Sequence, residues 1–337
     1  MRVVERAQRD EHGAVAVVIA ICCVMLFGFA AYAIDAGNAW QTRRHIVTAS
    51  DAAALATAGA YASGAAASAS DCAGVAGEYL DKNVADATLL TCDPHGVGAD
   101  AGYVTVQGQT TAQFTFAGIF GIDDSDIEST TTAEWGIPSG VSGLRPFGLC
   151  LHANAELAAW LNLPTGPTGP SAPITITYGK SQPDACGSNV PGNWGVMDFD
   201  GGANSNADTQ DWTLNGYPGE ITIPSTVPGD TGAFSNSLNG ELDTLRSSGA
   251  FFGLPVFDTA QGNGSGAQFG VVAVVFVKLV DFKTTGAQAQ RSLTLVFDRG
   301  VLEGRCCGNG VDTGARSLRI CDVDTLSPNT SDKTRAC

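Results

Sequence analysis

The stretch AVAVVIAICCVMLFGFAAYAI, residues 14–34, runs straight into DAGNAWQTRRHIVTASDAAALATAGAY, residues 35–61, and this junction decides the architecture. The first run holds 21 uncharged residues. At about 1.5 Å of rise per residue it spans about 31 Å, which matches a hydrocarbon core of about 30 Å. Beyond it, neither Gly nor Pro occurs between Asn38 and Ala58, and alanine, the best helix former, dominates. The pattern predicts a short cytoplasmic N-terminus (1–13), a transmembrane helix (14–34) and a helical stalk (35–62). A cleavable signal peptide has an apolar stretch of only about 7–15 residues. This run is longer, although Ala31-Tyr32-Ala33 has the form of a cleavage tripeptide, so cleavage stays the alternative.

Three arginines (Arg2, Arg6, Arg9) precede the span and two (Arg43, Arg44) follow it, which favours a cytoplasmic N-terminus only slightly. The cysteines settle the expectation. Of ten, Cys22 and Cys23 lie inside the apolar run and act as small apolar residues. The other eight are Cys72, Cys92, Cys150, Cys186, Cys306, Cys307, Cys321 and Cys337. An even set beyond an anchor implies disulfides and an oxidising compartment, so the bulk of the chain is expected outside. By proximity, Cys72 pairs with Cys92 and Cys150 with Cys186. The last four pair among themselves, with the adjacent Cys306 and Cys307 taking different partners. A zinc site is the rival reading. No C-x-x-C occurs, and the four histidines are too far apart for a finger-type pair.

The net charge is −16, from 34 acidic and 18 basic residues. Binding nucleic acid rests on Lys and Arg neutralising phosphates, so this excess argues against it. It also argues against docking on anionic lipid.

After the stalk, a helix is expected at Gly74–Val84. Period-two stretches then predict strands at Tyr103–Val106, Ala112–Phe116 and Ile127–Trp135. Composition changes at Pro138–Pro146, and Leu149–Leu161 reads as helix. PTGPTGPSAP (164–173) is a loop. Further strands are expected at Ile174–Tyr178, Trp194–Phe199, Ile221–Ile223, Gly270–Val280 and Ser292–Phe297, with a helix at Gly240–Ser247. The Val-rich FGVVAVVFVKLVDF (269–282) carries Lys278 and Asp281 and is too short to span a bilayer as a helix, so it reads as a buried strand. The fold class is α+β. The expected layout is a first α+β segment at 63–145 and a second, strand-rich region at 146–337 with a cysteine-rich C-terminus.

On the stalk, Ala49, Ala52, Ala53, Ala56 and Ala60 recur at spacings of three and four. Such a narrow stripe of small residues lets another element approach closely. It packs either on the protein's own domain or on another subunit, which makes Ala49, Ala52, Ala53 and Ala56 assembly candidates.

These residues form a wider pattern: His12-Gly13-Ala14-Val15-Ala16-Val17, Gly28-Phe29-Ala30, Ile34-Asp35-Ala36-Gly37, Arg43-Arg44, and Thr48-Ala49-Ser50-Asp51-Ala52-Ala53-Ala54-Leu55-Ala56. In this order they resemble the N-terminal pattern of the Flp pilus-assembly TadE/G-like family, with Ser50 where the last block usually begins with alanine. Ala133-Glu134-Trp135-Gly136, Gly192-Asn193-Trp194-Gly195 and Pro255-Val256-Phe257-Asp258 also look like pieces of bacterial relatives. The resemblance implies a single-pass protein of a bacterial cell membrane that faces outward. It would serve as an accessory of a tight-adherence (Tad) pilus or a related secretion machine, with pilus or secretion proteins as partners. A prepilin peptidase site wants Glu at the fifth position after its glycine, where Val18 follows Gly13. A von Willebrand A metal site wants Asp-x-Ser-x-Ser, which Asp123-Asp124-Ser125-Asp126 does not supply. Neither feature is carried over.

Catalysis and a small-molecule substrate are not expected. His152 lies near Cys150, but a disulfide-bound cysteine is no nucleophile. Gly262-Asn263-Gly264-Ser265-Gly266 precedes a strand and reads as a hairpin connection. Asp198, Asp200, Asn204, Asn206 and Asp208 are the only weak calcium candidates. They do not fit an EF-hand, because Thr209 stands where the twelfth-position Glu belongs, and the simpler reading is an acidic turn. No other cofactor is expected. The function expected is structural assembly. The alternative is a tethered extracellular binding module or adhesin.

Overall fold

The computed structural model describes residues 4–97, 101–152, 155–161, 169–177, 186, 195–202, 206–230, 234–262, 266–286 and 290–321, with side chains from residue 15 onward. The N-terminal half holds α1 (Val4–Ser63), α2 (Asp71–Asn83), β1 (Thr88–His95), β2 (Gly102–Gln113), β3 (Asp124–Gly136) and β4 (Pro138–Val141). Then come β5 (Leu149–Cys150), α3 (Ala155–Leu161), β6 (Ile174–Thr177), α4 (Asn206–Asn215), β7 (Ile221–Thr222), β8 (Ser225–Pro228) and α5 (Asn239–Ser248). The chain continues through β9 (Phe251–Gln261), β10 (Gln268–Lys283), β11 (Ser292–Asp298), β12 (Gly300–Val301), β13 (Gly304–Cys306) and β14 (Ala315–Cys321). This is the mixed α+β class that the pattern predicts.

Span and stalk form one 60-residue helix, α1, with no interruption. Its second half lies across a sheet of order β1-β2-β3-β14-β12, antiparallel except for the parallel β12–β14 pair. The alanines explain how. Ala49, Ala53, Ala54, Ala58 and Ala62 are buried together with Ile46 and Tyr61, against Leu80 of α2 and Val104, Val106, Ala133 and Trp135 of the sheet. The sheet answers with glycine at the closest point. A Cβ on Gly108 would lie 2.9 Å from Leu80 Cδ2 and 3.0 Å from Ser50 Oγ, so only glycine lets helix and strand approach there.

The second sheet has the order β5-β9-β10-β11-β6, and β8 also pairs with β10. Its core gathers Leu254, Val256, Val275, Val277, Leu295 and Phe297 with Leu157 of α3 and Leu242 and Leu245 of α5. FGVVAVVFVKLVDF is the centre of this sheet as β10, as its valine density requires. A small third sheet, β13-β4-β7, completes the fold. Because β12 and β14 join the first sheet, strands from both sides of residue 145 lie in one sheet.

Several sequence expectations need correction. Ala112–Phe116 is not one strand: β2 ends at Gln113, and residues 114–116 turn toward the short 3-10 segment Ala117–Phe120. Within Leu149–Leu161, the helix among the described residues is Ala155–Leu161; Leu149 and Cys150 pair with Val256 and Phe257 of β9. Of Trp194–Phe199, Trp194 lies outside the described residues, and Val196 and Met197 make isolated bridges, held between the loops at 146–148 and 228–230 rather than in a ladder.

Disulfides join Cys72 to Cys92 and Cys150 to Cys186, the pairs that proximity suggests. The expectation for Cys306 and Cys307 is overturned, since they bond each other. The peptide between them is cis, their Cα atoms are 3.1 Å apart, and the Cys307 sulfur lies against Gly136. A side chain at position 136 would collide with that sulfur, so the glycine leaves the room in which the pair sits. Cys321 is disulfide-bonded; Cys337 lies outside the described residues.

Cys72–Cys92 ties α2 to the edge strand β1 across a separation of 20 residues. On the chain-entropy model a loop of that size contributes about 3 kcal/mol. Replacing both cysteines with alanine should therefore lower the stability of the first sheet by about that amount. A urea titration would show it, and an unchanged midpoint would rule out this role.

Candidate membrane and assembly interface

From Val15 to Ile34 the apolar side chains of α1 stand exposed on every side, Val24, Phe27 and Phe29 among the most open. Among the described residues only Ala31 of this stretch is half-covered. A helix apolar all round with nothing packed on it suits lipid rather than a soluble core. It is the one helix among the described residues that is long and apolar enough to cross a membrane, with mean hydropathy 2.7 over its best window. Tyr32 and Trp40 are also exposed near its end, Trp40 by 66%. Aromatic rings of this kind favour the headgroup level.

At the first polar position after the run the environment inverts. Asp35 is only 8% exposed. Its carboxylate accepts from three successive backbone N–H groups at the β2–β3 turn: Thr115 N at 2.9 Å, Phe116 N at 3.0 Å and Ala117 N at 2.7 Å. Burial pushes the carboxyl up, but the N–H groups of Thr115, Ala117 and Phe116 outweigh it and hold Asp35 below the usual carboxylate range. Nearby, Asn38 Nδ2 donates to Gln113 O at 2.5 Å. Sixteen residues later a second aspartate repeats the device: Asp51 Oδ1 accepts from Thr131 Oγ1 of β3 at 2.7 Å. Between them Ile46 and Ala49 fill the seam with the sheet.

The aspartates and alanines of the N-terminal pattern therefore have a physical role within this chain. Asp35 grips the start of the β2–β3 turn, Asp51 fixes the middle of β3, and the alanines let the helix lie flat between those points. Ala49 and Ala53 are fully buried in the protein's own core, and Ala52 and Ala56 are half-buried. Of the stripe read as packing on the protein's own domain or on another subunit, Ala49 and Ala53 pack within the chain. The part of the stalk open to a partner is the opposite side, where Gly37, Trp40, Gln41, Arg44, His45 and Thr48 line a shallow groove. Sequence reading missed both aspartate contacts. The signal available was an acid directly at the end of an apolar span, where a charge is either solvated or held by a specific partner.

The acidic turn is closed on itself. Asp198 Oδ1 accepts from Gly201 N at 3.1 Å and Asp200 N at 3.3 Å, and Asp200 Oδ1 accepts from Gly202 N at 2.8 Å. Burial, then the adjacent Asp200 carboxyl, push Asp198 above the usual carboxylate range. Asn206 and Asp208 begin α4, and Asn204 lies outside the described residues. Elsewhere Glu134, Cys306 and Cys307 converge as a metal-like trio. The two sulfurs are bonded to each other, and Glu134 pairs with Arg319 at 2.5 Å, so the trio offers no free thiolate.

Fold and site together define a class of protein: a helix of membrane-crossing length continued, without a break, into the core of an α+β domain. Residues 13–69 match the family model described as Putative Flp pilus-assembly TadE/G-like, the family that the sequence pattern resembles. The match covers α1 from Gly13 and the turn after it, and ends before α2. No curated protein matches the chain, and no solved structure does.

Proposed function

We propose that this protein is a membrane-anchored assembly component of a Flp-type pilus or related secretion machine. Residues 14–34 anchor it in the bacterial cell membrane, the N-terminus lies in the cytoplasm, and the α+β domain faces outward. The observation that carries the reading is α1 itself. The segment matched to the pilus-assembly family comprises both the exposed apolar span and the core helix of the domain. The disulfides support an oxidising exterior for the domain. Its partners are pilus or secretion proteins that meet it beside the membrane.

Two measurements test this. A single cysteine placed at the exposed Asp81 of α2 should react with a membrane-impermeant maleimide on intact cells; reaction only after lysis would reverse the orientation. Deleting the chain in its host should strip the cell surface of Flp-type pili, counted by electron microscopy, and re-expression should restore them. Unchanged piliation would discard the assembly role and leave the tethered binding module.

A further inference from the structure

We infer that the tip of the β2–β3 hairpin, Ile119-Phe120-Gly121-Ile122, dips into the interface of the bilayer that α1 crosses, giving the domain a second membrane contact. This rests on the reading of residues 14–34 as a span.

Direction comes first. Gly108 of β2 faces Ile46 and Ser50 of α1, the Gln113 carbonyl meets Asn38, and Thr115 to Ala117 meet Asp35. Each step along the strand reaches an earlier residue of the helix, so β2 runs down α1 toward the membrane. Past Ala117 the chain is level with the last turn of the apolar run. Ala31, one turn before Asp35, is half-covered while Tyr32, Ala33 and Ile34 stay exposed.

Composition comes second. Phe114 to Ile122, FTFAGIFGI, carries no charge. Ile119 is 79% exposed, Phe120 85% and Ile122 55%. Three large apolar side chains crowded on one exposed turn mark a contact surface, and scattered single ones would not.

The backbone is also prepared for a medium poor in water. Residues Thr115, Phe116 and Ala117 donate to Asp35, and the N–H groups of Phe114, Ile119, Gly121 and Ile122 donate to carbonyls within the turn. Unsatisfied N–H groups are what keeps a loop out of the water-poor hydrocarbon edge. Asp123, Asp124 and Asp126 follow at once and limit insertion to the tip, which also favours zwitterionic over anionic lipid. Another protein is the competing occupant. The bilayer is favoured because the tip continues the apolar surface of the span, on the membrane side of Asp35.

The test uses the full chain with Cys22→Ala and Cys23→Ala, reconstituted in phosphatidylcholine vesicles. An environment-sensitive nitrobenzoxadiazole dye is attached in turn at Phe120→Cys, Ile122→Cys, Phe27→Cys and Asp81→Cys. Lipid carrying a doxyl quencher just below the headgroup is then introduced. The dyes at 120 and 122 should emit to the blue of the dye at 81 and lose fluorescence to the quencher, as should the dye at 27. If 27 is quenched but 120 and 122 behave like 81, the hairpin inference falls and the anchor stands. Blue emission at 120 without quenching would put protein there, and would equally overturn it. If 27 itself escapes quenching, the anchor reading fails.

Discussion

A chain that begins at Gly64 will not fold its first sheet, whereas one that begins at Ala33 will. The second half of α1 looks like a stalk in sequence but serves as the inner layer of the domain. Ile46 and Tyr61, with Ala49, Ala53, Ala54, Ala58 and Ala62, are nearly or fully inaccessible to solvent, and they cover Val104, Val106, Ala133 and Trp135. Buried apolar side chains of this size contribute about 1.5–3 kcal/mol each, and a buried methyl group about 0.8 kcal/mol. The helix as a whole then supplies on the order of 10 kcal/mol, comparable with the entire stability of an ordinary domain. Limited proteolysis reads the difference. The chain from Ala33 should protect residues 71–136, and the chain from Gly64 should lose them early. Equal protection would mean that α1 is only a strut. The same argument bears on tests of function. An anchor swap that keeps the domain intact must stop at Ile34, because exchanging residues 35–61 removes core.

Trp135→Ala should cost about 3–5 kcal/mol, the range for emptying a buried aromatic site. Trp135 is 1% exposed and stacks on Tyr61 with ring centroids 5.4 Å apart. Gly102 on the neighbouring strand lies directly against its ring, where a Cβ would collide. Packed from the helix side and the strand side, the site cannot collapse easily. Urea unfolding should show a lower midpoint with an unchanged slope. Trp135→Phe, which keeps the stacking face, should lose less. A loss below about 1 kcal/mol for the alanine variant would contradict this packing.

The parts legible in sequence were those with a long period and no competing signal. The apolar run, the unbroken alanine helix and the valine-rich β10 follow from local pattern alone. The sequence piece Ala133-Glu134-Trp135-Gly136 proves to be packing: Trp135 fills the core, Glu134 holds Arg319, and Gly136 makes room for the Cys306–Cys307 pair. What failed depended on distant partners. Thr88–His95 has no strict alternation and becomes strand β1 by pairing with β2. Phe251–Gln261 contains Pro255, which argues against a central strand, yet β9 runs between β5 and β10. Asn206–Asn215 shows no apolar helical period, because its buried residues are Thr209, Trp212 and Thr213, two of them polar. Ala315–Cys321 joins the first sheet from the far end of the chain, and no local signal announces that. The contacts of Asp35 and Asp51 are of the same kind, each made to a residue 80 positions away.

One mechanical consequence follows from α1 being a single helix pinned at Asp35 and Asp51. With residues 14–34 in the bilayer, as proposed, no swivel separates the membrane from the domain, so the domain cannot wander as a flag on a string does. Its attitude to the bilayer plane is set by the tilt and rotation of the span, and its height by the register at which the helix enters lipid. A partner that bears sideways on the domain therefore turns the span in the membrane with it, and a partner that rotates the span reorients everything above. Such a body works as a fixed bracket: it presents one surface, at one distance from the membrane, to whatever is built beside it.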